Sequence, residues 1–247
     1  MRFDRSLFLE TLKQGLSVQG LTVSADSLEL MVQYAEAIAV TNESLNLTRL
    51  VEPAEMAIKN FLDSLTILRS DVLAELPEEL HCLDLGTGAG FPGVPLAIVK
   101  PNWQWVLLDS TRKRLNFIAE TAEELGLTNV STLHARAEDA GQEPEHREAY
   151  HLVVSRAVAE LPVLLELCAP LVAVGGIVAA YKGSEAAEEL ARSEKAQREL
   201  NLGLEKVACL DLPQQMGSRS LLLFKKTGPL AERYPRRAGI VQKRPLI

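Results

Sequence analysis

Cysteine is scarce in this chain of 247 residues. Cys82, Cys168 and Cys209 are odd in number, far apart, and form no C-x-x-C pair. Neither a disulfide framework nor a cysteine zinc site is supported, and each thiol reads as a small buried apolar residue. No apolar run is long enough to span a bilayer. The most apolar stretch, Leu167 to Tyr181, is broken by Pro170, Gly175 and Gly176. There is no internal repeat and no low-complexity segment. The start, MRFDRSLFLETLKQ, carries Asp4 and Glu10, which do not suit a secretory signal. The expectation is a cytoplasmic protein, and a monomer, because no long exposed apolar stripe is evident.

What is present is an acidic body with a basic end. The formal charge of −7 argues against a protein that coats nucleic acid non-specifically. Residues 225–247 nevertheless hold seven Lys or Arg against one acid, Glu232, which leaves residues 1–224 at about −13. The basic end suits an RNA backbone by counterion release. It equally suits solubility, or a tail folded back on its own acidic body.

Apolar residues at three- and four-residue spacing predict helices through residues 1–80, one starting near Ser24 and another at Pro53. From His81 onward the texture changes. Strands are predicted at 81–85, 103–109, 130–135, 151–156, 176–182, 204–212 and 219–226, with helices near 93–100, 111–125, 158–173 and 184–201. Alternation of this kind means an open, mostly parallel α/β sheet. The link between the last two strands, PQQMGS, is too short for a parallel crossover and predicts an antiparallel hairpin. The expected organisation is an N-terminal helical region (1–80), a Rossmann-like core with a terminal hairpin (81–227), and a basic extended tail (228–247).

The stretch LDLGTGAGFPGVPLAIVK (83–100) follows the first strand, where ligands sit in such sheets. Gly86, Gly88 and Gly90 let the backbone turn tightly and approach a ligand, and the helix then begins near Pro92 or Gly93. A dinucleotide loop requires a sixth-place glycine, and here that place is Phe91. This form favours S-adenosylmethionine over a nicotinamide dinucleotide. Asp109 ends the second strand, 23 positions after Gly86, where a ribose-binding carboxylate is expected. It also stands where it would cap the next helix. Ala137 and Glu138 follow the third strand and would frame an adenine, although Glu138 alone reads as a solvated loop acid.

The fourth strand ends in Ser155-Arg156-Ala157, which lacks the Asn/Asp-Pro-Pro-aromatic motif of adenine-N6 enzymes. Cys168 sits in a helical run and reads as core rather than as a nucleophile. Arg156 is a charge in an apolar segment, and such residues are paired, snorkel, or belong to sites.

LDLGTGAGFPGVPLAI, LLDSTRKRLNFI, VVSRAVAEL and RYPRRAGIVQKRPL together closely resemble the RsmG (GidB) family, and NLTRLVEPAEMAIKNFLDSL fits its upstream pattern. The resemblance runs from about residue 40 to the end. It implies a class I S-adenosylmethionine-dependent methyltransferase acting on N7 of a guanine in 16S ribosomal RNA of the small subunit. It implies cofactor contacts at Gly86, Phe91, Asp109, Ser110, Thr111, Ala137, Glu138 and Arg156, and with an RNA substrate Arg156 and Lys182, the latter at the end of the fifth strand, are candidates to hold RNA phosphate or a guanine O6. Asn60 stands where the family commonly has His, which bears on substrate rather than cofactor. A methyltransferase acting on a different RNA, a protein or a small molecule remains the alternative. Guanine N7 has an in-plane lone pair and no proton, so the absence of an obvious general base or nucleophile agrees with this chemistry.

Overall fold

The computed structural model describes residues 3–247. Two long helices open it, α1 (Arg5–Gln19) and α2 (Ala25–Leu45). The Asp4 carboxylate accepts from the Leu7 N–H at 3.0 Å and Ser24 Oγ from the Ser27 N–H at 3.1 Å, so each helix starts on a side-chain cap. Pro53 opens the next helical run, as its spacing predicted. That run passes through α3 (Pro53–Met56), a π-helical stretch (Ala57–Leu62), α4 (Asp63–Leu65) and a 3-10 turn (Thr66–Arg69).

The sheet follows: β1 (His81–Leu85), α5 (Gly93–Val99), β2 (Gln104–Asp109), α6 (Arg112–Glu124), β3 (Val130–His134), α7 (Ala137–Ala140), β4 (Tyr150–Arg156), α8 (Leu161–Cys168), β5 (Val172–Lys182), α9 (Ala186–Arg192), α10 (Glu194–Glu199), β6 (Leu202–Asp211) and β7 (Ser218–Lys226). The strand order is β3-β2-β1-β4-β5-β7-β6. Strands β1 to β5 pair in parallel, and β7 lies antiparallel between β5 and β6. The Rossmann-like sheet and the terminal hairpin are therefore as read from the sequence.

Alternation along the strands divides the core in two. Cys82, Leu107, Leu152, Val154, Ile177, Ala179, Leu221 and Leu223 face one cluster, which also takes Phe8, Leu12, Met31, Tyr34 and Phe61 from the N-terminal helices. Those helices share this cluster with the sheet. Leu83, Leu108, Val153, Val178, Ala180, Leu222 and Phe224 face the opposite cluster, with α8 and the C-terminal segment.

Several boundaries differ from expectation. β5 begins at Val172, because a register shift at Tyr150/Leu152 and Gly175, at φ +86°, keep the chain paired with β4 through a bulge. α8 is correspondingly short, from Leu161 to Cys168. The helix expected over 184–201 divides at Ser193, whose hydroxyl donates to the Leu190 carbonyl at 2.7 Å. Cys82 and Cys168 are buried as expected, but Cys209 is exposed. It lies on β6, the edge strand, where alternate side chains meet water.

Residues 228–247 are irregular apart from α11 (Ile240–Lys243), and they pack against the body. Leu230, Tyr234, Val241 and Leu246 are buried in the second cluster. Arg236 grips Glu166, which has no exposed surface, with Nε at 2.8 Å and Nη2 at 2.5 Å. The Lys226 ammonium reaches Glu148 at 2.6 Å and the Ala169 and Val172 carbonyls at 2.6 and 2.9 Å. Arg233 and Lys225 pair with Glu199 and Glu75. The basic end is thus a tail turned back on its acidic body.

The glycine loop is shaped from beneath by Asp84. Its Oδ2 accepts from the Thr87 hydroxyl at 2.7 Å and the Gly93 N–H at 2.9 Å. From α2, the Tyr34 hydroxyl donates to the Ala89 carbonyl at 3.0 Å. Gly90, at φ +88°, must be glycine on two counts, since a Cβ there would stand 2.3 Å from Tyr34 Oη. Burial pushes the Asp84 carboxyl up to about 6, against the Thr87 and Gly93 hydrogen bonds.

Two predictions follow from these contacts. Arg236→Ala leaves the Glu166 carboxylate buried without its partner and should cost about 3 kcal/mol, read as a lower urea midpoint. Asp84 is protonated more readily in the folded chain than in the unfolded one, so its contribution is lost as pH rises through the folded pKa. Stability relative to Asp84→Asn should fall by roughly 1–2 kcal/mol between pH 5 and pH 8, measured by urea unfolding. A flat difference across that range would show that Asp84 is ionised throughout.

Candidate active site at the carboxyl ends of the strands

Loops from the carboxyl ends of β1, β2, β3 and β4 meet where the strand order reverses between β1 and β4. Gly86 and Gly88 have φ of +73° and +60°. The Gly88 N–H donates to Asp109 Oδ2 at 3.0 Å, and the Thr111 N–H donates to Asp109 Oδ1 at 2.8 Å. Asp109 thus ties the glycine loop to the start of α6. Thr111 is the N-cap of α6 and no side chain caps that helix, so Asp109 does not take the capping role its position suggested; Arg114 Nη1 also stands 3.7 Å from Asp109 Oδ2.

Ser110 and Thr111 are exposed beside it, and His134 Nε2 lies 3.1 Å from the Ser110 carbonyl oxygen. Ala137 is buried and Glu138 half-buried in the first turn of α7. Phe91 is buried beneath the loop, edge-on to Phe61 with centroids 5.1 Å apart.

Arg156 ends β4 on the face covered by the N-terminal helices. Its Nη1 donates to the Lys59 carbonyl at 2.8 Å and to Asp63 Oδ2 at 3.1 Å, and its Nη2 to Asn60 Oδ1 at 3.2 Å. The guanidinium carbon stands 5.4 Å from the Phe91 ring centroid. These acceptors come from the π-helical stretch and the residue after it, an arrangement often found at functional sites. Asn60 Nδ2 and Asp63 Oδ1 are buried with no partner among the described residues.

Lys182 ends β5 and turns to the opposite face. Its ammonium donates to the Ala159 carbonyl at 2.6 Å and to Glu189 at 2.7 Å, and Glu189 also accepts from the Leu161 N–H at 2.6 Å. Lys182 therefore anchors the loop after β4. In that loop Ala157 has φ +58°, and Val158 covers Gly86 so closely that a Cβ there would lie 2.4 Å from it. Arg156, Lys182, Asn60, Asp63, Tyr181 and Arg219 line one cleft of about 590 Å³.

The sequence-read residues fall into two groups. Gly86, Gly88, Phe91, Asp109, Ser110, Thr111, Ala137 and Glu138 surround the β1–β3 loops. Arg156 and Lys182 wall the neighbouring cleft from opposite sides. Asp63, Glu189 and Arg219 were not singled out from the sequence. An available signal was the strand parity that places Arg219 in series with Leu221 and Leu223, the face also taken by Arg156 after Leu152 and Val154. Another was an acid, Asp63, inside the buried run FLDSL.

The family described as rRNA small subunit methyltransferase G (GidB) matches residues 27–217. A protein of that name from Pelotomaculum thermopropionicum is 43% identical over 98% of this chain and 100% of its own length. One from Deinococcus radiodurans is 43% identical over 96% of this chain and 92% of its own. Among solved structures, a 16S rRNA (adenine(1408)-N(1))-methyltransferase from Catenulisporales acidiphilia with its cosubstrate SAM overlays with TM-score 0.50. It is 15% identical, over 65% of this chain and 90% of that one. The [4+2]-cyclase SpnF overlays with TM-score 0.51 and 16% identity, over 69% of this chain and 82% of that one. Resemblance at that level is to the sheet alone, which carries different chemistries. The end-to-end relatives carry the assignment: this chain belongs to the rRNA small subunit methyltransferase G family and is an S-adenosylmethionine-dependent methyltransferase.

Proposed function

We propose that the chain methylates N7 of a guanine in 16S ribosomal RNA, acting as a cytoplasmic monomer on the small subunit or a precursor of it. The observation that carries this reading is that the carboxylates deepest in the cleft are bonded to cations. Asp63 holds Arg156 and Arg219, and Glu189 holds Lys182. Among the described residues no His or Cys lines it. An acceptor that must lose a proton before reacting would call for a base here. Guanine N7 has no proton to lose.

The β1–β3 loops fit the cofactor: space is open where a Cβ would stand on Gly88, and Asp109 keeps acceptor positions for ribose hydroxyls. Gly86, Gly88, Phe91, Asp109, Ser110, Thr111, Ala137, Glu138 and Arg156 would hold it. S-adenosylmethionine, when bound, supplies an electrophilic methyl group on a sulfonium. The protein's part is placement, since aligned reactants account for a large share of such a barrier. Arg156 is suited to the guanine O6 edge because three acceptors and an aromatic face fix its plane. Asp63 offsets its charge, which matters because methylation at N7 leaves the purine ring positive. Lys182 contributes by holding the loop that walls the acceptor side. Among the described residues no helix is long and apolar enough to cross a membrane.

Small subunits from a strain lacking this enzyme, incubated with labelled S-adenosylmethionine, should gain one labelled guanine in 16S RNA that directs chain cleavage at N7-methylguanine. No labelling despite cofactor binding would overturn the acceptor assignment. Lys182→Ala should slow that methylation about tenfold while equilibrium dialysis shows unchanged cofactor affinity. A fall in cofactor affinity would overturn the acceptor-side role and show that Lys182 acts through Val158 on the glycine loop.

A further inference from the structure

We propose that Arg219 is a second substrate-contact residue, taking an RNA phosphate at the cleft, and that Asp63 is its positioning residue. The inference rests on the reading above that the substrate is RNA. It assigns a residue beyond the stretch that the family description matches, residues 27–217.

β7 runs antiparallel to β5, so its first residues lie beside the last residues of β5, with Ser220 opposite Lys182. Arg219 is thereby brought to the same end of the sheet as Arg156, on the same face. Asp63, 1% exposed, receives both through one oxygen: Arg156 Nη1 at 3.1 Å and Arg219 Nε at 3.3 Å. One carboxylate between two guanidiniums leaves one positive charge in excess.

That excess lies toward Arg219. Arg156 has three further constraints, the Lys59 carbonyl, Asn60 and the Phe91 ring. Lys59 is paired with Glu55 at 2.7 Å and Lys182 with Glu189 at 2.7 Å. Arg219 donates only Nε to Asp63 and Nη1 to the Ser218 carbonyl at 3.0 Å, and Nη2 has no partner among the described residues. Its side chain is also the more exposed of the two arginines, 25% against 17%.

A guanidinium held through Nε, with its outer edge in water and charge in excess, is arranged for an anionic oxygen pair. Any nucleotide whose base enters this cleft brings phosphates with it. The buried arginine then faces the base, and the exposed one takes the backbone.

The test uses full-length protein, with Arg219→Ala and Arg219→Lys compared on small subunits lacking the methyl group. Arg219→Ala should raise KM about fivefold to tenfold, change kcat less than about twofold, and leave cofactor affinity unchanged. Its binding to subunits, titrated from 50 to 200 mM salt, should lose about 0.7–0.9 from the log–log slope, the signature of one lost phosphate contact. Arg219→Lys should keep the slope. An unchanged slope with weaker binding would mean that Arg219 meets a base or a ribosomal protein, and would overturn the proposal. So would a loss of cofactor affinity, which would mark Arg219 as a support for Arg156. Binding slopes are readable even if the wild-type protein methylates nothing, so failure of the N7 reading is distinguishable from failure of this one.

Discussion

A carboxylate with almost no access to water organises this molecule. Asp63 lies in the N-terminal helical layer, and removing its charge from water costs several kcal/mol unless partners compensate. The partners are Arg156 from β4 and Arg219 from β7, strands separated in the sheet by β5. The compensation requires the helical layer to sit over the carboxyl ends of both strands. The same contact brings the Lys59 carbonyl and Asn60 onto Arg156, and Tyr181 of β5 donates to the Ser64 carbonyl at 2.7 Å. The N-terminal helices are therefore part of the reaction end of the sheet as well as a cover for its core.

Charge that is clustered in sequence is dispersed in space. The basic end looks like a nucleic-acid arm when counted along the chain. In the fold its Lys225, Lys226, Arg233 and Arg236 meet Glu75, Glu148, Glu199 and Glu166. Lys226 ends β7 beside the first residue of β5, at the end of the sheet away from the glycine loop. The segment fastens the body, and the charge available at the reaction end comes from isolated arginines.

Local patterns made much of this legible. Short apolar runs in HCLDL, HLVVSR and SLLLFKK, buried on both faces, specify strands, the turn after HCLDL specifies the ligand end, and the short PQQMGS link specifies the hairpin. In the sequence Asn60 stands out only as a departure from a family pattern. Its bond to Arg156 spans 96 residues, and the Asp63–Arg219 contact spans 156. No local period records such contacts, because they are products of topology. Lys182 shows the same limit. Sequence position assigns it to the end of a strand, but only its parity, in series with Val178 and Ala180, turns it away from Arg156 and toward Glu189.

The distribution of titratable groups bears on why this site needs no proton acceptor. Asp84, with a carboxyl raised into the range of a general base, is buried and committed to the Thr87 hydroxyl and the Gly93 N–H beneath the loop. Asp109 secures that loop from the other side, and Asp63 and Glu189 are bound to cations. Each of these acids fixes a backbone turn or the direction of a cationic side chain. A site arranged in this way exerts its effect through geometry. Its natural acceptor is an atom that already carries a free lone pair, and guanine N7 is such an atom.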